Sequence, residues 1–259
     1  MTTKNQYCIH IHNANCCFVA LVNGVPIFNN PIGYAFNTNV PINHLLINGT
    51  NTFQVILSPY EEQGCLDKFT KCTANILVKE KEQPLKQFNK IATSAYLEGT
   101  ADIKDNKKIA SVEGIFQASL YHVDSQWTSG QEIKLTEENV GKITSKMRVL
   151  YGLFAEKKLS KILESIRQRE IEVSASFFTN VEEGTQISSA SFEEVFSNDE
   201  WVLQPLNLTE YVPILVANNK MAACLNHHFD SAIHYINKKQ NLRKEFPFYF
   251  YLTAENHFD

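Results

Sequence analysis

A chain of 259 residues, 44% of them hydrophobic, holds enough apolar material for one large or two ordinary cores, which excludes disorder throughout. Its formal net charge of -4 gives no basic field to hold a phosphate backbone, so nucleic acid is disfavoured as a partner. No window nears the roughly 18 apolar residues of a membrane span, and MTTKNQYCIHIHNANCC is broken by His10, His12 and Asn13 where a secretory signal needs an unbroken apolar run. The expectation is therefore a soluble, cytoplasmic chain with no membrane span.

From Tyr7 to about Trp127, short alternating runs are separated by turn residues: YCIHI, CFVALV, VPIF, TFQVIL, TANILVK, IASVEGIF and ASLYHV. Such spacing predicts an antiparallel β-sandwich over residues 1–130 with one face of each strand buried. His10 and His12, at i and i+2, share one strand face, and alternation with Tyr7, Ile9 and Ile11 puts that face in solvent. Asn23-Gly24 reads as a tight hairpin turn between Cys17–Val22 and Val25–Phe28. Ile42 to Ile47 reads as one helical turn ended at Asn48-Gly49, after which Phe53, Val55 and Leu57 share one strand face. Lys79 to Lys90 and Gly99 to Lys108 read as exposed loops.

Together, FVALVNGVPIF and VPINHLLINGTNTFQVIL resemble the jelly-roll, galactose-binding-like accessory domain of β-galactosidase-type and β-glucuronidase-type enzymes. That family pairs a strand ending in Asn-Gly with a later Leu-Leu, turn, Gly, x-Asn-Thr lead into the next strand. The resemblance implies a jelly-roll fold and raises carbohydrate binding, for which Tyr34, Tyr60, Tyr96 and Trp127 are the stacking aromatics available by type. No catalytic barrel follows, so glycosidase activity is not implied.

At Thr136 the apolar period changes from two to three or four. Thr136 caps a helix whose first turn carries Glu137 and Glu138, and Val140, Ile143, Met147, Leu150, Tyr151 and Phe154 form its buried stripe. A second helix is expected from about Leu159, with Ile162, Leu163, Ile166 and Val173 inward, and Ser191 with Glu194 reads as the capping box of a short third. Strands then return at Tyr211–Ala217, Met221–Leu225, Ala232–Ile236 and Phe246–Leu252, with a turn at Asn218-Asn219. Residues 131–259 are thus expected to form an α+β domain, helices followed by a curved antiparallel sheet. In element order this half resembles the nuclear-transport-factor-like, or SnoaL-like, cone, which implies a pocket between sheet and helices.

Glu170 interrupts the second helix's apolar stripe and would point inward. In such a cone a desolvated carboxylate would work as an acid or base with Tyr211, His234, Tyr235 or Tyr249. His228, Asp230 and His234 share one strand face and have metal-ligand chemistry, although a polar turn between two strands accounts for them more simply. Cys65 and Cys72 are the cysteine pair to test for a bridge, while Cys8, Cys16, Cys17 and Cys224 read as buried thiols. Phosphate-loop, dinucleotide, nucleophile-elbow and zinc-protease motifs are absent, and no cofactor is expected. The leading expectation is a non-catalytic binding protein with a protein partner, of the bacterial immunity or adaptor kind. Carbohydrate binding by the sandwich and small-molecule catalysis by the cone are the alternatives.

Overall fold

The structure, a computed structural model, describes residues 4–60, 63–84, 87–94, 97–98, 108–121, 125–255 and 257–258. The chain divides into two units, Met1–Ser125 and Gln126–Asp259. The first is all β: β1 (Asn5–Ala14), β2 (Cys17–Val22), β3 (Val25–Asn30), β4 (Phe36–Pro41), β5 (Gly49–Ser58), β6 (Lys71–Glu80), β7 (Asn89–Thr93), β8 (Leu97–Glu98) and β9 (Ala110–Ala118).

Two antiparallel sheets carry these strands, one in the order β4-β1-β6-β7 with β8 on β6, the other β3-β2-β5-β9. The β1–β2, β3–β4, β5–β6 and β7–β9 segments each cross from one sheet to the other, so four folded ribbons lie side by side. Alternation sends Ile9, Ile11, Ala74 and Ile76 of one sheet and Phe53, Val55, Leu57 and Val112 of the other into the core. Rings meet across the sheets: Tyr7 and Phe116 at 6.4 Å, Phe28 and Phe36 at 5.5 Å. Gly114 lies opposite Phe53, and a Cβ there would stand 2.5 Å from the Phe53 Cζ, so β9 holds a glycine where that ring needs room.

The Asn23-Gly24 turn is as expected, with φ of 49° and 76° at its two residues and Val22 paired to Val25. Asn43–Leu45 makes a 3₁₀ turn, and Gly49 opens β5 at φ +100°. The ASLYHV run departs from expectation: Ala118 ends β9, Leu120 is a buried loop residue, and His122 and Val123 lie outside the described residues. The Lys79–Lys90 segment is not all exposed loop. Lys79 is buried within β6, its ammonium donating to the Lys81 and Gln83 carbonyls, and β7 begins at Asn89. Of Gly99–Lys108, only Lys108 is described.

The second unit comprises α1 (Glu137–Ala155), α2 (Leu159–Ser165), α3 (Arg167–Phe177) and α4 (Val181–Ser197), then β10 (Trp201–Leu203), β11 (Val212–Val216), β12 (Met221–Leu225), β13 (His234–Asn237), β14 (Leu242–Glu245) and β15 (Phe250–Tyr251). Thr136 caps α1 by accepting the Asn139 N–H, and Ile143, Met147, Leu150 and Phe154 are its buried stripe. The expected second helix is two: Ser165 Oγ donates back to the Ile162 carbonyl, and Ile166 leaves helical geometry at φ -104°, separating α2 from α3. The expected short helix at Ser191 is instead the last part of α4, which Asn180 caps 11 residues earlier. The strands form two three-stranded sheets, β10-β13-β14 and β11-β12-β15, not a single curved one. Between helices and strands the interior is filled by aromatic rings. Phe154 touches Phe192, Phe196, Tyr235, Phe246 and Phe248 at centroid distances of 5.2 to 6.5 Å.

No helix among the described residues is long and apolar enough to cross a membrane.

Candidate functional site

Register places three sheet-to-sheet crossings of the first unit at one end of the sandwich: Asn13 pairs with Phe36, Ala14 with Lys71, Cys17 with Ser58 and Phe18 with Asn30. Side-chain amides hold the loops at that end. Asn15, at φ 58°, donates to Asp67 Oδ1 at 2.8 Å and accepts the Tyr60 hydroxyl at 2.8 Å. Asn13 and Asn30 both donate to the Tyr34 carbonyl, at 3.2 and 2.7 Å, and Asn13 accepts the Phe36 N–H. Gly33, at φ +80°, packs so closely that a Cβ would lie 2.8 Å from Tyr60 Cδ1, so only glycine fits. Burial works against the charged form of Asp67, yet the Phe69 N–H and the Asn15 amide outweigh it and hold this carboxyl below the usual range.

These braced loops push apolar side chains outward. Ile32, Tyr34 and Phe69 are 63, 65 and 61% exposed, whereas Ile9, Ile11, Phe53 and Phe116 of the same unit are buried. The backbone beneath them is fixed by hydrogen bonds, so the end is a preformed surface of large side chains on a polar frame.

The second unit gathers its polar groups elsewhere. Arg243 donates through Nε to Glu245 at 2.7 Å, lies 3.3 Å from Asp230, and reaches the Tyr211 hydroxyl at 3.5 Å. Asn226 donates to Asp230 at 3.0 Å, and the Ser231 N–H donates to Glu245 at 3.1 Å. His234 Nδ1 lies 3.1 Å from the Ser231 carbonyl, which only accepts, so the proton sits on Nδ1. Burial, with Arg243 adding to it, pushes the His234 imidazole below its usual pKa, and its ring lies 5.6 Å from Tyr211. Burial and the neighbouring Asp230 raise the Glu245 carboxyl against the pull of Arg243. Guanidinium and carboxylates thus satisfy one another, and the cluster ties the 226–231 loop to β14 and to Tyr211.

Tyr211, Asp230 and His234 are therefore brought together, but around Arg243 and Glu245, which the sequence reading does not single out. Glu170 is buried as expected, yet between α3 and α4, where it pairs with Arg169 and accepts the Ser188 hydroxyl at 3.0 Å. Tyr235 belongs to the aromatic core, where burial pushes its phenol up to about 12, and donates to the Phe154 carbonyl. Burial also raises the Tyr249 phenol. His228 is an exposed loop residue whose ring lies 3.8 Å from that of His227 at a 45° tilt, and His234 is anchored through Nδ1; among the described residues, no group of three or more His, Cys, Asp or Glu fits a metal ion. Of the aromatic candidates, Tyr34 is exposed, Tyr60 is held by Asn15, Trp127 is half-buried, and Tyr96 lies outside the described residues. Cys65 and Cys72 are not bridged: Cys72 is a buried strand thiol, and all six cysteines are free.

No protein-family model, no curated protein and no solved structure matches the chain. The signal for the sandwich end is nonetheless present in the sequence, as Asn13, Asn15 and Asn30 beside its loops. Arg243 and Glu245 carried none, because β14 has neither an apolar alternation nor a glycine turn before it.

Proposed function

We propose that this chain is a non-catalytic binding protein that recognises a protein partner through the braced end of its β-sandwich. The observation that carries the reading is the outward display of Ile32, Tyr34 and Phe69 on loops locked by Asn13, Asn15 and Asn30. Large apolar groups on a rigid frame lose little entropy on docking and withdraw apolar area from water, which suits a protein surface. The aromatic filling around Phe154 supports the same reading, because it leaves the helix–strand interior to packing. Effector neutralisation or adaptor function of the immunity type is the form of recognition we favour. The folded-ribbon topology and the Asn-Gly and Gly-x-Asn-Thr turns support reading the first unit as jelly-roll-like.

Affinity capture from cells of the source organism, run in parallel with wild type and a Tyr34→Ser/Phe69→Ser variant, tests this. One or more proteins retained by wild type and lost from the variant are expected; equal recovery, or none from either, counts against the reading.

Carbohydrate binding is the second reading, favoured by one observation: Tyr34 presents an exposed ring from a loop whose backbone carbonyl is held by the buried Asn13 and Asn30 amides. Calorimetry across a glycan panel is expected to give heat that Tyr34→Ala removes if it holds, and a flat response otherwise.

A further inference from the structure

Charge in the second unit is sorted along the chain. Residues 134–169 carry nine Lys or Arg against four carboxylates, whereas residues 170–219 carry nine carboxylates and no Lys, Arg or His. The two stretches expose different helices. On α1 the outward line is Glu138, Lys142, Lys146 and Val149, with Arg148 beside it. On α4 it is Glu183, Ile187, Ala190 and Glu194, with Glu182 and Glu193 beside it. At the middle of each lies one large apolar side chain in water, Val149 at 64% and Ile187 at 68% exposure.

We infer that the α1 face of one copy of this chain docks on the α4 face of another. Each face carries one exposed aliphatic residue, and the charges around the two are mostly of opposite sign. The spacing agrees. Lys142 precedes Val149 by seven residues and Glu194 follows Ile187 by seven, a rise of about 10 Å in each helix. Antiparallel docking centred on Val149 and Ile187 therefore sets Lys142 and Lys146 beside Glu194 and Glu193. The present partners of these charges are Glu138 for Lys142 at 2.6 Å, a solvent-exposed pair of the kind that contributes little, and Lys244 for Glu194 at 2.5 Å, a partly exposed one. The acidic face repels nucleic acid and anionic lipid, whereas the complementary cationic face is present on the same molecule.

Two different surfaces meeting make a heterologous contact, which propagates into a ring or an open chain and does not stop at a two-fold dimer. The test is sedimentation velocity of the full chain up to about 0.2 mM, a range that reports weak association, in about 20 mM and about 500 mM salt. Mass is expected to rise above the monomer with concentration at low salt and to fall back at high salt. Lys142→Glu/Lys146→Glu and Glu193→Lys/Glu194→Lys, each reversing the charges that the docking brings together, are expected to weaken association about tenfold or more alone. Their equimolar mixture is expected to recover it, which a misfolded variant cannot do. Ile187→Ser keeps every charge and is expected to weaken association several-fold. A monomer under all conditions overturns the inference, as does association that survives both reversals and Ile187→Ser.

Discussion

Asn23 and Asn51 show how buried amides fix one end of the first unit. Asn51 accepts from the Ile47 N–H and from Asn23 Nδ2, and donates to the Ile47 and Gly49 carbonyls, all at 2.8 to 2.9 Å. Asn23 donates to the Leu45 carbonyl and accepts the Thr52 N–H. These are residues of the Asn-Gly and Gly-x-Asn-Thr turns that the sequence marks, and they form one network because each turn supplies the partners the other lacks. Asn51→Ala, leaving several buried groups unpaired, is expected to destabilise the chain by about 2–4 kcal/mol in urea unfolding. In the second unit, Glu245 makes stability depend on pH. Its folded-state pKa is raised, chiefly by burial, so the folded chain holds the proton more tightly than the unfolded one. Stability is therefore gained as pH falls from neutral through that raised value, and the gain is complete below the unfolded value of about 4.3. Between about pH 7.5 and about pH 4, wild type should gain urea resistance relative to Glu245→Gln; parallel profiles would remove this role.

At the scale of elements, what was legible tracked how each element buries itself. α1 was plain in the sequence because it packs a continuous apolar stripe under a threonine cap. Only the last third of α4 is legible in the sequence, because its first part buries small residues. A Cβ at Gly184 would stand 2.4 Å from Ser174 Oγ, and Ser188 bonds Glu170, so α3 and α4 meet through glycine and hydroxyls with no apolar period to see. The β13–β14 hairpin was missed for a similar reason. Its turn is built on Asn237, which accepts the Lys239 and Gln240 N–H groups, with Asn241 at φ 53° and no glycine to announce it. Gly141 and Gly152 in α1 have open space where a Cβ would go. Gly152→Ala is expected to raise stability by about 0.5–1 kcal/mol, by lowering the entropy lost on forming the helix. Gly114→Ala in β9, facing the buried Phe53 ring, should lower it by about 1–3 kcal/mol. Thermal or urea unfolding of the two variants checks both signs.

For the whole molecule, composition and period give a β-rich first half followed by helices and then strands, and the structure has that order. The expected grouping of Glu170 with sheet tyrosines and His234 is not what the fold assembles, because residue types alone do not say which face of a helix meets which strand. The carboxylate ended between two helices, and Tyr211, Asp230 and His234 were gathered by Arg243 and Glu245. What the molecule offers to others lies on its surface: a braced apolar end on the sandwich, and two oppositely charged helix faces on the second unit. Recognition of a protein at the sandwich end is the central claim. The measurement that tests it most directly is site-specific photo-crosslinking in cells of the source organism, with the crosslinker placed at Phe69 and, as control, at Val202, which is exposed on β10. A discrete crosslinked protein at position 69 and none at position 202 is predicted; equal labelling at both positions, or no protein adduct at position 69, would contradict it.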